Sequence, residues 1–193
     1  MKTFAWFCVA LALVLITVPA QAAKEIKVGI VDCYSGPPAT YTNDVRDAFK
    51  LEVDKINAAG GVLGRKIVFT TRDSKFKVDI GLSAAKELIY RENVDILMGT
   101  INSALALAIS DMCKKEKVPF FATFSKSAKI TGAKGHRYVF SITENTALAG
   151  KAGAAGRAKL PYKKYWIAGD DYEYGHAVAD GVWDNLKKLR PDV

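Results

Sequence analysis

The chain has 193 residues, and 28 lysines and arginines against 20 aspartates and glutamates give it a formal net charge of +8 at pH 7. This length allows one sizeable core, or one domain with part of another. The charge is scattered in pairs such as Lys163-Lys164 and Lys187-Lys188 and is not gathered with aromatic residues, so a nucleic-acid-binding stripe is not indicated. Its three cysteines are too few for a disulfide scaffold.

The first 22 residues are predicted to be a cleaved signal peptide. Lys2 provides a positive start, residues 4–18 are almost entirely apolar, and Ala20-Gln21-Ala22 has the small-x-small pattern of a cleavage site. The apolar run is shorter than the roughly 20 residues that a transmembrane helix needs, although an uncleaved anchor is the alternative interpretation. We therefore expect an exported protein.

After this segment, short apolar stretches alternate with amphipathic ones. Strands are predicted over residues 26–31, 66–71, 94–98, 118–122, 137–142 and 164–168. Helices are predicted from a cap at Thr42 or Asn43 to Gly60, and over residues 78–91, 103–115, 145–160 and 175–189. This order is typical of an α/β fold with a parallel sheet flanked by helices. Ligands of such sheets bind at the carboxyl ends of the strands, which here are the turns after Val31, Met98, Ala122 and Ala168.

Two smaller patterns concern packing. Cys33 ends the first strand and Cys113 lies late in a helix, so independent burial of two thiols is favoured over a disulfide bridge, which an oxidising compartment would also permit. Gly150, Gly153 and Gly156 have neither the spacing of a dinucleotide-binding fingerprint nor that of a P-loop. We expect these glycines to let their helix approach another backbone closely.

The bend at residues 99–103, Gly-Thr-Ile-Asn-Ser, joins a predicted strand to a predicted helix and could hold a nucleophile, a phosphate or a carboxylate. Ser103 lacks the glycines of a G-x-S-x-G nucleophile elbow, and the chain has only 2 histidines for a catalytic triad. The bend has no P-loop lysine. A helix N-terminus does favour an anion, because its first N–H groups are unpaired and its dipole is positive there. Asn102 and Ser103 could equally cap the helix, and the two roles are compatible.

The chain shows no pattern typical of a metal site. H-E-x-x-H, C-x-x-C and EF-hand spacings are all missing from the sequence, so neither a metal nor a cofactor is predicted. The acidic stretch with Asp170, Asp171 and Glu173, close to His176, is expected to be solvated or to meet a ligand's ammonium group.

Several motifs of the chain occur together in one protein family. They are residues 26–31, Tyr34-Ser35-Gly36-Pro37 with Tyr41, residues 54–64, Arg72-Asp73, residues 99–103, Val118-Pro119 and Asp171-Tyr172-Glu173-Tyr174-Gly175. In this set the chain resembles the type I periplasmic solute-binding proteins, in particular the leucine/isoleucine/valine-binding branch that serves ABC importers. The resemblance extends over nearly all of the chain after the signal peptide.

The resemblance implies two α/β lobes that are joined by a three-segment hinge and close on a solute. It places lobe one at residues 23–142, and the hinge crossing with the start of lobe two at residues 143–193, after the signal peptide at 1–22. Because family members are much longer, and because residues 190–193 read as the approach to another strand, we expect a truncated chain with an incomplete second lobe.

The implied function is that of a periplasmic, monomeric and non-catalytic binding protein without a cofactor. It would capture an amino acid or a related small carboxylate and deliver it to the membrane permease of an ABC transporter. A ligand-sensing domain of a receptor or regulator with the same fold is the first alternative. A secreted hydrolase that uses Ser103 is the second.

By the same resemblance, four residues are expected to contact the solute from separate parts of the chain. Ser103 matches the position whose hydroxyl and amide bind the ligand's carboxylate, and Asn102 precedes it. Tyr41 matches a cleft tyrosine of the first loop, and Tyr174 matches a tyrosine of the second lobe.

The turn after the fourth strand is also expected to contact the solute, but it departs from the family pattern of two small residues and a threonine. Here it reads Phe124, Ser125 and Lys126, which suggests an aromatic or dicarboxylic acid in place of a branched aliphatic amino acid. Phe76 and Asn102 stand where the branched-chain binders have a disulfide in lobe one, so that bridge is expected to be absent.

Overall fold

The structure, a computed structural model, describes residues 24–193, so the predicted signal peptide lies outside the described residues. Strands and helices alternate along this part of the chain. They are β1 (Ile26–Asp32), α1 (Ala39–Ala58), β2 (Ile67–Asp73), α2 (Val78–Tyr90), β3 (Ile96–Gly99), α3 (Ser103–Glu116), β4 (Phe120–Ala122), β5 (Val139–Ser141), α4 (Thr146–Arg157) and α5 (Glu173–Leu189). None of the helices between residues 24 and 193 is long and apolar enough to span a membrane.

The strands form one parallel sheet in the order β2-β1-β3-β4-β5. β1 and β2 pair over their whole length, from Ile26 opposite Ile67 to Asp32 opposite Asp73. Parallel neighbours need a crossover connection, and α1, α2 and α3 provide it between successive strands from β1 to β4. The predicted α/β fold with a parallel sheet flanked by helices is confirmed.

The main core lies between the sheet and the helices α2 and α3. Leu88 of α2, Leu105 of α3 and Phe120 of β4 are fully buried in one apolar cluster. Burying a side chain of this size stabilises the fold by about 1.5–3 kcal/mol. The two helices meet at Gly81, where a Cβ would come within 2.3 Å of Leu105 Cδ2. This packing positions the N-terminus of α3 against the sheet.

Helix α1 begins at Ala39, earlier than the predicted cap at Thr42 or Asn43. Pro38 precedes it with a φ of −67°, the value that the proline ring favours and that suits the start of a helix. Thr42 therefore lies inside the helix, where its hydroxyl donates to the carbonyl oxygen of Cys33. This bond ties the start of α1 to the end of β1.

Both packing predictions are supported by the structure. Cys33 and Cys113 are buried free thiols. A Cβ at Gly150 of α4 would come within 2.7 Å of the carbonyl carbon of Gly181 in α5, so these two helices approach at their backbones as expected. Gly156, in contrast, has nothing within 4 Å and takes no part in this contact.

Residues 164–168, predicted as a sixth strand, do not form one. In the described part of the chain no strand lies beside them, and Trp166 is 98% exposed. A strand needs a neighbour to accept and donate its backbone hydrogen bonds, so an apolar sequence alone does not produce one. The prediction was wrong for this segment.

Candidate functional site

Most of the predicted site residues lie along one edge of the sheet, where the strands from β1 to β4 end. In sheet order this edge carries Phe76 after β2, Tyr41 near the start of α1 after β1, the bend between β3 and α3, and the turn after β4. The bend at residues 99–103 therefore lies between aromatic residues on both sides.

The bend is held by Asp32, the last residue of β1. Its carboxylate is 2% exposed, and its Oδ1 accepts from the backbone N–H groups of Ile101 at 2.8 Å and Cys33 at 2.9 Å. The Thr100 hydroxyl lies 3.4 Å from the same oxygen. Burial raises the pKa of the Asp32 carboxyl, and the bonds from Ile101 and Cys33 act against that rise. Asp32 thus supports the bend from the neighbouring strand.

Asn102 is the residue that caps α3. Its Oδ1 accepts from the backbone N–H of Leu105 at 3.1 Å, and its amide nitrogen donates to the carbonyl oxygen of Phe76 at 3.2 Å. The cap therefore also joins the bend to the turn after β2. Asn102 is 4% exposed, and these two bonds fix both the start of α3 and its link to the turn after β2.

Ser103 does not cap the helix and instead connects the bend to the turn after β4. The side chain is fully buried, and its Oγ accepts from the backbone N–H groups of Lys126 at 3.2 Å and Ser127 at 3.3 Å. Because both bonds use oxygen lone pairs, the hydroxyl proton is still available to a further acceptor.

Several polar groups at this junction have no partner among the residues that the structure describes. The hydroxyls of Thr123 and Ser125 are buried without a hydrogen bond. The backbone N–H groups of Ser103, Phe124 and Ser125 also find no acceptor in residues 24–193. Buried polar groups in folded proteins are nearly always hydrogen-bonded. An anion such as a carboxylate would satisfy these donors, and the positive end of the α3 dipole would favour it.

Tyr41, Phe124 and Lys126 come together beside these donors. The ring centroids of Tyr41 and Phe124 are 6.1 Å apart, and the Lys126 Nζ lies 5.3 Å from the centroid of Phe124. Tyr41 is 60% exposed, whereas Phe124 and Lys126 are partly buried. The Lys126 ammonium group is also paired with the carboxylate of Glu144.

The same turn is bonded to the segment that follows the sheet. The Ser127 hydroxyl donates to Glu173 Oε1 at 2.8 Å, and the Lys129 Nζ donates to Glu173 Oε2 at 3.0 Å. The backbone N–H of Thr146, at the start of α4, donates to the Lys126 carbonyl oxygen at 2.7 Å. The turn after β4 is therefore fixed from both sides.

Among the aromatic residues predicted for the site, Tyr174 lies apart, because in the described structure its ring contacts neither Tyr41 nor Phe124. Its ring lies 6.1 Å from that of Tyr172, which in turn lies 5.4 Å from that of Phe76. Tyr174 also lines a cavity of about 370 Å³ with residues of the unpaired segment before α5.

Metal ligation is not supported by the geometry of residues 24–193, in which no three histidine, cysteine, aspartate or glutamate side chains are placed to share an ion. His176 and Asp171 form an exposed pair at 2.8 Å. His136 bonds to Ser110 at 2.9 Å, away from the bend. Neither histidine is bonded to Ser103.

The sequence analysis missed Asp32 and Glu144. It expected Glu173 to be solvated or to meet a ligand's ammonium group, whereas Glu173 accepts from Ser127 and Lys129 of the same chain. Asp32 had a local signal, because it is a charged residue that ends an apolar strand at an edge where ligands bind. Glu144 has no such signal, and the partners of Glu144 and Glu173 were not predictable, since each carboxylate meets its lysine only after the chain has folded back.

Comparisons with known proteins give a consistent picture. A family model described as "Periplasmic binding protein" matches residues 25–193. The Leu/Ile/Val-binding protein of Citrobacter freundii is 28% identical over 172 residues, which are 89% of this chain and 46% of that protein. Leu/Ile/Val-binding protein homolog 8 of Brucella abortus is 31% identical over 182 residues, 89% of this chain and 44% of the relative. The chain thus spans less than half the length of these relatives.

Solved structures agree on the fold. A solute-binding protein of an ABC transporter from Rhodopseudomonas palustris BisB5, in complex with 3,4-dihydroxybenzoic acid, superposes with a TM-score of 0.77 at 23% identity, over 86% of this chain and 44% of that one. A leucine-binding protein from Thermotoga maritima gives a TM-score of 0.76 at 20% identity, over 85% and 46%. A periplasmic binding protein from Burkholderia mallei gives 0.77 at 25% identity, over 86% and 44%.

Proposed function

The chain belongs to the periplasmic binding protein family, and on that basis we propose that it is the solute-binding component of an ABC importer. It would capture an amino acid or a related small carboxylate between two lobes and deliver it to the membrane permease from the periplasm. In this proposal residues 23–142 form lobe one, and residues 143–193 are the hinge crossing and the start of lobe two.

One observation carries the proposal beyond family membership. The bend at residues 99–103 and the turn after β4 meet through the Ser103 hydroxyl, and around that junction lie N–H and O–H donors without a partner in the described chain. A solute carboxylate would accept from the Ser103 and Ser125 hydroxyls and the nearby amides. Asn102 would hold the helix that presents them, and Tyr41 and Tyr174 would contact the rest of the solute.

A hydrolase is disfavoured by the surroundings of Ser103. A serine nucleophile needs a base within hydrogen-bond reach. Among residues 24–193 the Ser103 Oγ has only the backbone N–H groups of Lys126 and Ser127 as partners, and these are donors. The similar proteins named above are binding proteins, which agrees with a non-enzymatic role.

The proposal is tested on the full-length protein, in which Ser103 is replaced with alanine. Calorimetry and thermal shift measure the binding of amino acids, aromatic acids and dicarboxylates to the wild type and to the variant. We expect at least one of these classes to bind the wild type, and the variant to bind it about 10- to 100-fold more weakly, as expected for the loss of one hydrogen bond to a charged group. Ser83→Ala, an exposed serine on α2, is the matched control and should bind like the wild type. If no class raises the melting temperature of the wild type, the proposed function is wrong.

A further inference from the structure

The turn after β4 brings two lysines to the candidate site, and the structure pairs both of them. Lys129 donates to Glu173 at 3.0 Å. Lys126 is paired with Glu144, which follows β5. The positive charge of the turn is therefore compensated within the protein before any solute arrives.

Glu144 is held so that it stays ionised and directed at Lys126. Its second carboxylate oxygen accepts from the Thr143 hydroxyl at 2.7 Å, while the first accepts from the Lys126 ammonium group. The bond from Lys126, with that from Thr143, lowers the pKa of the Glu144 carboxyl to about 2. At neutral pH the pair is thus a cation and an anion with no net charge.

Lys126 is fixed at both ends of its backbone as well. Its N–H donates to the Ser103 hydroxyl at 3.2 Å, and its carbonyl oxygen accepts from the Thr146 N–H at 2.7 Å. The side chain lies over the ring of Phe124, 5.3 Å from its centroid, and Tyr41 contacts the same ring. The turn that carries the unpaired donors therefore also carries an aromatic pair and a lysine whose charge is already compensated.

Resting on the proposed function, we propose that the solute is an aromatic acid with a single carboxylate, and that Glu144 determines this preference by neutralising Lys126. The solute's carboxylate would meet the donors around Ser103 and Ser125, and its ring would pack against Phe124 and Tyr41. A second carboxylate on the far side of the ring would lie near Lys126 and Glu144 together, where attraction and repulsion cancel while its desolvation still costs free energy.

The proposal predicts that removing the negative charge of Glu144 changes which solute binds. In Glu144→Gln, Lys126 keeps a hydrogen-bonding neighbour, but its positive charge is no longer compensated by a carboxylate. The affinity for terephthalate, which carries a second carboxylate para to the first, should rise about 3- to 10-fold, the effect of one unit charge roughly 6 Å away at an effective dielectric constant of about 40 to 80. The affinity for benzoate should change by less than about 2-fold.

The experiment compares benzoate, terephthalate and L-leucine in titrations of the ¹⁵N-labelled protein followed by NMR, with the amide signals of residues 124–126 as the reporters. Glu52→Gln is the control variant, because Glu52 is also paired with a lysine, at 2.8 Å, but lies on α1 in an exposed i,i+3 pair. The double variant Glu144→Gln/Lys126→Met shows whether an increase in terephthalate affinity depends on the charge of Lys126. Thermal unfolding of each variant shows whether it is folded.

The outcomes separate the two proposals. We expect the wild type to prefer benzoate to terephthalate by at least about 10-fold, and to bind leucine more weakly than benzoate. If leucine binds more tightly than benzoate, or terephthalate binds as tightly as benzoate, the proposal of an aromatic monocarboxylate is wrong while the proposed transport role stands.

If Glu144→Gln and Glu52→Gln behave alike, or the increase in terephthalate affinity survives in the double variant, Glu144 does not set the preference. If none of the three solutes binds, the further inference fails, and the proposed function is then judged by the wider titration with amino acids, aromatic acids and dicarboxylates.

Discussion

Replacing Asp32 with alanine is expected to destabilise the protein and to loosen the candidate site at the same time. The carboxylate accepts two well-formed bonds from backbone N–H groups, from Ile101 at 2.8 Å and from Cys33 at 2.9 Å. A hydrogen bond to a charged group contributes about 1.5–3 kcal/mol, so the two together account for about 3–6 kcal/mol. Alanine also removes a carboxylate whose burial is unfavourable, which offsets part of this loss. We expect a net loss of about 2–4 kcal/mol in the free energy of unfolding.

The measurement is urea unfolding followed by circular dichroism, together with the melting temperature. For a chain of this length a loss of about 2–4 kcal/mol corresponds to a fall of roughly 5–15 °C. Asp32→Asn is the matched variant, because an asparagine Oδ1 can still accept from Ile101 and Cys33. It should stay within about 1 kcal/mol of the wild type. If alanine were harmless, the hydrogen bonds of Asp32 would not hold the bend. If asparagine were as damaging as alanine, the negative charge itself would be required.

The pH dependence gives a second readout of the same residue. Burial raises the pKa of Asp32 above its value in the unfolded chain, so between these two values the folded state binds more protons than the unfolded state. The stability contributed by Asp32 must then fall as the pH rises from about 4 through the folded pKa, and stay constant above it. The stability of Asp32→Asn relative to the wild type should therefore increase over this window. A difference that decreased with pH would contradict a raised pKa.

Two further predictions concern Gly99, at the end of β3, and Cys113, in the last turn of α3. Gly99→Ala should prevent folding or cost more than about 4 kcal/mol in the free energy of unfolding, because Gly99 has a φ of +126° and a Cβ there would lie 2.0 Å from the Val31 carbonyl oxygen. The control Gly36→Ala, at a φ of +74° but with nothing within 4 Å, should cost only about 1–2 kcal/mol. Equal losses in urea unfolding would rule out the clash as the cause. Burial raises the pKa of the Cys113 thiol to about 12. Iodoacetamide at pH 8 should therefore alkylate this thiol at least about 100-fold more slowly in the native protein than in urea, as measured by mass spectrometry. Equal rates would mean that the thiol is accessible.

The failed strand prediction and the different roles of Asn102 and Ser103 have the same origin, because both depend on which segments lie beside them in the folded chain. Residues 164–168 have the apolar character of a strand, but no strand lies beside them in the described chain to complete their hydrogen bonds. Asn102 and Ser103 are both good caps by residue type. Only the approach of the turn after β4 determines that Asn102 caps the helix while Ser103 accepts from Lys126 and Ser127.

The sequence by itself determined the order of strands and helices apart from residues 164–168, and it determined the parallel sheet and the edge at which we propose that a ligand binds. These features depend on hydrophobic periodicity and on the topology of βαβ units, which are local patterns repeated along the chain. It also identified the bend at residues 99–103 and the turn at residues 124–126. The tertiary structure alone decided that Asp32 supports that bend and that Glu144 neutralises Lys126. These contacts join residues far apart in sequence, and their strength depends on distance and burial, which composition and spacing do not specify.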